Sequence, residues 1–275
     1  MLLCPLSSYS QKIDSSLIYK SPRVVLEFGG AFNYPVQDAL GSVGDFFKFQ
    51  NYGTVYGIGF HLNAKYCADK NGKFFPYITL GFVQLQNDDY THAFIDSNNI
   101  SSGYPLPGSQ MYNLTSAAVP SILILRDFYA GLGLQYVFNT SRSLLPFIGF
   151  EIDYHLLWGL YSQQPGTVAG NNTANEVTFS INPTSRVGIG ADVGFDLRIT
   201  QNLGFMFGTK YKLANLFGKQ SQRTQPANGN NPGDLNTMNL LDKADTGLNS
   251  NLNKSRNIAY LQFYLGFAVF IGKVK

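Results

Sequence analysis

The sequence has little charge, little cysteine and no long hydrophobic run, and each shortage excludes a class of protein. Only 13% of its 275 residues are charged, against about 25% in typical soluble domains. No stretch reaches the roughly 18 consecutive apolar residues of a spanning helix, which argues against a helical membrane protein. Two cysteines, Cys4 and Cys67, cannot build a disulfide framework.

Motifs for catalysis and for nucleic-acid binding are also missing. The net charge is only +3 and there is no run of Lys or Arg, so nucleic acid is not an expected partner. The sequence contains no glycine-rich phosphate loop, no zinc-spaced set of Cys and His, and no nucleophile elbow. We therefore predict no cofactor, no metal and no catalytic residue. Aromatic residues (15%) and glycine (28 residues) are abundant, and this composition favours a β-rich chain.

Eight segments alternate between apolar and polar or small residues, the period of a β-strand, three of them clearly and five less perfectly. In the last segment, Leu261, Phe263 and Leu265 lie on one side while Gln262 and Gly266 lie on the other. The segments are 23–34, 52–66, 74–86, 127–138, 146–161, 186–199, 203–215 and 256–272. They are longer than the ~5–6 residues usual in soluble sheets.

Short and long connections alternate between these segments. The short ones are 67–73, 139–145 and 200–202, and the long ones are 35–51, 87–126, 162–185 and 216–255. In an antiparallel sheet all short turns then lie at one end and all long loops at the other. The stretch 117–125 (AAVPSILIL) offers an alternative, since it could contribute a further hairpin and raise the count to ten strands.

Charge separates completely between the two faces of the eight segments. The apolar faces carry none, while the other faces, counted from Tyr260 in the last segment, carry six positive and six negative side chains, with two histidines beside them. Lipid contact explains the uncharged faces, because Arg or Lys at the bilayer midplane costs about 2–4 kcal/mol. A narrow barrel interior explains the balance, because enclosed charges need partners. The predicted interior charge network is Arg23, Glu27, His61, Lys65, Asp127, Glu151, Asp153, His155, Arg186, Asp192, Asp196, Arg198, Lys210 and Lys212.

Aromatic residues near the segment ends fit the girdles of a membrane barrel. They are Tyr34, Tyr52, Tyr66, Tyr136, Phe138, Trp158, Tyr211 and Tyr260. The predicted fold is an all-β, closed antiparallel up-and-down transmembrane barrel of eight strands, with short periplasmic turns and long extracellular loops.

Residues 22–272 resemble the small eight-stranded outer-membrane barrels of the OmpA transmembrane-domain and OmpX type. The resemblance rests on strand number, loop alternation and the final strand YLQFYLGFAVFIGKVK, which is similar to the family's carboxy-terminal sorting signal. The chain departs from that signal by continuing through Gly272 to Lys275. Residues 1–10 resemble the remnant of a signal peptide, with Ser8-Tyr9-Ser10 as a small-x-small site. We expect 11–21 to form a periplasmic tail.

The resemblance implies a bacterial outer-membrane protein whose partners are outer-membrane lipids and, through the long loops, an extracellular protein or glycan. The sequence does not indicate an oligomeric state. The leading hypothesis is a non-enzymatic barrel with a plugged interior, acting in envelope structure or in binding and adhesion. One alternative is a lipid-modifying enzyme using His155, or the loop cluster Asp88, Asp89, His92 and Ser97. The other is a narrow porin-like channel, which balanced interior charges would block.

Overall fold

A computed structural model describes residues 21–43, 46, 51–87, 92–93, 119–138, 143–163, 167–168, 171–172, 177–220, 237–240, 242–243 and 255–273. Eight long strands account for most of these residues. They are β1 (Val24–Val36), β2 (Tyr56–Tyr66), β3 (Phe74–Gln86), β4 (Val119–Val137), β5 (Leu144–Gln163), β6 (Val177–Arg198), β7 (Leu203–Phe217) and β8 (Ala259–Ile271). The remaining elements are a 3₁₀ turn at Gln37–Ala39 and four two-residue strands, His92–Ala93, Thr167–Val168, Asn171–Asn172 and Thr237–Met238.

The eight strands close into one antiparallel barrel. Each pairs with its neighbours in sequence, and β8 pairs with β1 to complete the circle. A row of paired residues that leaves β1 at Val25 passes once around the wall and returns to β1 at Pro35, ten residues further on. This stagger of ten tilts the strands and leaves an interior narrow enough for side chains to fill. The predicted closed, eight-stranded architecture is confirmed.

Side chains alternate between an apolar outer surface and a buried interior, as predicted. Leu132, Leu265 and Ile58 are 68%, 65% and 64% exposed, although a soluble protein would bury such residues. Along the eight strands the described outward positions carry a single charge, Arg126, which hydrogen-bonds Gln84 toward the long-loop end. We call the uncharged outer surface between Arg126 and the short-turn end the belt.

Three strands run further than the sequence pattern predicts. The loops predicted at 87–126 and 162–185 are too long, because Val119–Arg126 continues β4 and residues 177–185 begin β6. Strands β4, β5 and β6 have 19, 20 and 22 residues, whereas about 9–11 suffice to cross a bilayer. They extend the wall on one side beyond the belt. The stretch 117–125 therefore supplies no extra hairpin where it is described, and the ten-strand alternative is wrong.

The extended wall breaks the simple alternation at one place. The pairing of β5 with β6 shifts between Leu157 and Gly159, where β6 carries one extra residue next to Pro183. Proline lacks a backbone N–H and is accommodated at such bulges.

The signal remnant predicted at 1–10 and almost all of the tail predicted at 11–21 lie outside the described residues. Only Ser21 of the tail is described, and its hydroxyl donates to the carbonyl oxygen of Gly72 at 3.2 Å.

Candidate functional site

The lumen is filled along its height by layers of different chemistry. At the short-turn end an apolar cluster that includes Phe75, Phe147 and Phe270 closes the barrel. Cys67 belongs to this cluster as a free thiol, and burial raises its pKa. Such a thiol acts as a small apolar filler.

An ionic layer lies above this cluster. Lys210 Nζ is 2.7 Å from Glu151 Oε2, while Lys212 Nζ lies 2.7 Å from Glu151 Oε1 and 2.9 Å from Asp153 Oδ2. Tyr77 also donates its hydroxyl to Glu151 at 2.9 Å. All five side chains are buried, so each charge is compensated within the layer rather than by solvent. Short inward residues make room for it: a Cβ at Gly190 would come within 2.7 Å of the Glu151 carboxylate.

A histidine–aspartate pair and an ion pair continue the network toward either end. Near the long-loop end, His155 Nδ1 lies 2.9 Å from both carboxylate oxygens of Asp127, which also accepts the Tyr260 hydroxyl at 2.9 Å. Near the short-turn end, Lys65 pairs with Glu27, and its Nζ lies 4.8 Å from the centre of the Phe147 ring.

Two extracellular loops fold into the mouth of the barrel. We name them L1 (37–55) and L4 (218–258), and we call their described inserted part the plug. Phe46 and Tyr52 of L1 and Leu240 and Ile258 of L4 are almost completely buried against inward residues of the extended wall. Phe46, for example, stacks on Tyr161 of β5, with 6.5 Å between ring centres.

Asp242 of L4 is the polar centre of the plug. Its carboxylate is fully buried and forms an ion pair with Arg186 of β6. It also accepts the Tyr52 hydroxyl at 2.7 Å and the side-chain amide of Asn215 at 2.9 Å. One carboxylate thereby joins both loops to the wall strands β6 and β7.

Arg256 of L4 makes a second set of contacts within the plug. Its guanidinium, also fully buried, donates to the carbonyl oxygens of Phe46 and Asn51 at 3.1 and 2.8 Å. It lies 4.1 Å from the centre of the Tyr52 ring, which is within the range of a cation–π contact. L4 therefore clamps L1 with one anion and one cation.

The structure buries thirteen of the fourteen predicted interior residues. The prediction for Arg23 is wrong: its side chain is exposed at the short-turn end, where it donates to the Tyr66 hydroxyl at 3.1 Å. Arg23 precedes the first residue of β1, so the inward–outward alternation of that strand does not determine the direction of its side chain. His61 is buried edge-to-face against Tyr264, with ring centres 4.8 Å apart. Asp192, Asp196 and Arg198 are buried as well.

Sequence reasoning missed the loop residues that complete the interior. Asp242 lies in the predicted loop 216–255, which has no strand periodicity, and Arg256 stands at the first position of the last predicted segment, where it was not counted among the interior charges. With them the described interior holds seven carboxylates against six Lys and Arg side chains. Two residues assigned to the girdles, Tyr52 and Tyr260, are fully buried in the lumen instead, so that part of the prediction is also wrong.

At the rim of the plug, Lys219 donates to Ser255 and Asn257 at 2.9 and 2.6 Å, and desolvation lowers its pKa. Within the described part of the chain, no group of three or more metal-ligating side chains occurs. No helix in that part is long and apolar enough to span a membrane.

A closed β-wall with an uncharged belt and an ionic interior fits a bilayer, because closure leaves no unpaired backbone edge in lipid. The chain is an integral outer-membrane β-barrel. No family model matches the sequence, and no curated protein matches it either.

Among solved structures, the chain is similar to small outer-membrane barrels. Neisserial surface protein A is 11% identical over 90% of this chain and 97% of its own, with a TM-score of 0.42. OprG from Pseudomonas aeruginosa is 11% identical over 92% and 98%, with a TM-score of 0.44. A major outer-membrane protein from Thermus thermophilus is 14% identical over 89% and 98%, with a TM-score of 0.43.

Proposed function

We propose that this barrel is a non-enzymatic, non-conducting membrane anchor that serves the envelope by presenting a fixed platform of extracellular loops for binding or adhesion. The observation that carries the proposal is the occluded lumen. The plug fills the mouth, the ionic layer crosses the middle and an apolar cluster closes the other end. Function then falls to the loops, as it does on other rigid scaffolds.

The plug supports the platform by fixing its base. Buried contacts such as Tyr52 to Asp242 and Arg256 to Phe46 join two loops that lie about two hundred residues apart in sequence. A loop base held in one conformation costs less ordering entropy when a ligand binds.

The interior histidine argues against the lipid-modifying alternative. His155 is completely buried in the lumen and bonded to Asp127, so its ring does not reach the lipid surface where such an enzyme would act. The loop residues Asp88, Asp89 and Ser97 lie outside the described part of the chain, as does the side chain of His92.

Conduction is tested with the full chain in planar lipid bilayers. We expect no unit conductance steps at moderate voltage, and regular steps in the wild-type protein would contradict the sealed lumen.

Binding is tested with cells that display the barrel. Their retention is measured on surfaces coated with heparin or with a matrix protein. Heparin is a polyanionic glycan, chosen because L4 contains Lys219, Arg223, Lys243 and Lys254. Retention above that of cells displaying a barrel in which Lys219, Arg223, Lys243 and Lys254 are all replaced by Gln supports the platform. A deletion strain with unchanged adhesion and unchanged detergent resistance refutes it.

A further inference from the structure

The outer wall carries an apolar groove of about 830 Å³ in the belt. The groove crosses five adjacent strands, β5, β6, β7, β8 and β1, between two rows of outward side chains. One row runs in register from Ile148 to Phe32, and the other from Pro146 to Gly30. Rings of Phe195 and Phe207 stack along the second row, with 5.2 Å between their centres.

Length and direction of the groove match one hydrocarbon chain. Five strands spaced about 4.8 Å apart give a groove of roughly 19 Å, while one leaflet occupies about 15 Å of a hydrocarbon core ~30 Å thick. The groove starts near Phe138 and Pro146, at the short-turn ends of β4 and β5, and climbs obliquely to Gly30 in the middle of β1. It therefore lies in the periplasmic half of the belt.

Gly30 keeps the upper end of the groove open. A Cβ built at Gly30 meets no atom within 4 Å, so the space beside it is empty of protein. Along the floor, Gly194 and Gly208 point inward and leave only backbone facing the groove. Methylene groups lying between two rows of side chains gain dispersion contacts on several sides, more than a chain lying on a convex wall.

Charge at the short-turn end suits a phospholipid headgroup. The described residues there include Arg23, Lys70, Lys73 and Lys273 against the single acid Asp69. A basic rim attracts anionic phosphates at the membrane surface. From the groove, its position and this rim, we infer that the barrel holds one acyl chain of a phospholipid from the periplasmic leaflet at a defined site on its wall.

The test uses the full chain in liposomes of phosphatidylethanolamine and phosphatidylglycerol that contain a phospholipid with a photoactivatable diazirine acyl chain. Mass spectrometry then maps the crosslinked residues. We expect crosslinks to concentrate on outward residues of β5 to β8 and β1. An even distribution over all eight strands would overturn the inference, because it would describe ordinary lipid solvation.

Two variants make the result specific. Gly30→Leu fills the upper end of the groove, and we expect it to lower labelling of the groove several-fold. Ala64→Leu adds the same bulk at an exposed outward position of β2, outside the groove, and should label like wild type. Heat-modifiable migration on gels verifies folding of both, and Thr209→Phe fills the groove from the other row if Gly30→Leu does not fold. The site would be refuted if the groove were labelled equally in Gly30→Leu and in Ala64→Leu. The same comparison applies to Thr209→Phe where that variant replaces Gly30→Leu.

Discussion

Removing the Asp242 carboxylate should release the plug without opening the barrel wall. Asp242→Ala leaves the buried guanidinium of Arg186 without its ion-pair partner, and it removes the acceptor of Tyr52 and Asn215. Breaking a fully buried ion pair from one side costs about 3–5 kcal/mol. Because every 1.4 kcal/mol is tenfold, the ratio of docked to undocked plug should fall by roughly a hundred- to four-thousand-fold.

Limited proteolysis of the barrel in liposomes measures this ratio. Cleavage within L1 and L4 should accelerate strongly in Asp242→Ala, while heat-modifiable migration stays at the wild-type value because no wall contact between strands is lost. Lys243→Gln is the matched control, since Lys243 neighbours Asp242 but its side chain is exposed. A double variant, Arg186→Met with Asp242→Leu, should restore much of the protection, because apolar residues often replace a buried pair without loss. Wild-type cleavage rates in Asp242→Ala would refute the role of Asp242 in holding the plug.

Three other predictions concern the wall, the interior and the first turn. Leu132→Arg, in the belt, should lower the free energy of unfolding in liposomes by about 2–4 kcal/mol, and an unchanged value would contradict lipid contact. His155→Ala should lower the free energy of unfolding by about 1.5–3 kcal/mol in the same assay, because the buried carboxylate of Asp127 loses one of its two hydrogen-bond partners, while lipid A mass spectra stay unchanged; altered spectra would favour an enzyme. At Asp69, slight desolvation is outweighed by three backbone N–H donors, which lower the carboxylate pKa. The free energy of unfolding of the wild type should exceed that of Asp69→Asn above about pH 4, and this difference should vanish as the pH falls through the lowered pKa. A difference that grows on acidification would refute this.

Periodicity predicted most of the barrel because the bilayer imposes it on every strand. Each residue that faces lipid must be apolar, so parity alone sorted Leu132 from Asp153 and placed thirteen interior residues correctly. The same rule fails where the bilayer ends. In the extended wall, Leu123 and Leu125 are buried against the plug while Ile122 and Ile124 are half-buried, so this stretch is a continuous apolar run without the alternation of the other strands.

The plug escaped prediction for a different reason. Asp242 lies in a loop rich in Asn and Gly, where no regular period indicates which side chains turn inward, and Arg256 stands at the edge of the last segment, before the alternation that begins at Tyr260. Their burial depends on partners such as Arg186, Tyr52 and Phe46, which are distant in sequence. Such contacts are defined only once the wall has closed. The misplaced Tyr52 and Tyr260 follow from the same cause, since an aromatic ring near a strand end fits either a girdle or a mouth.

Sequence alone determined the eight strands, their alternating connections, the uncharged belt and the charged interior. The reason is that every second side chain of each strand faces lipid and must be apolar, and this requirement can be recognised from neighbouring residues. Tertiary structure decided which charges meet. It set the stagger that brings Glu151 between Lys210 and Lys212, excluded Arg23 from the lumen and drew L1 and L4 into the mouth. These outcomes depend on the distances between side chains from strands and loops far apart in the chain, which no local pattern encodes.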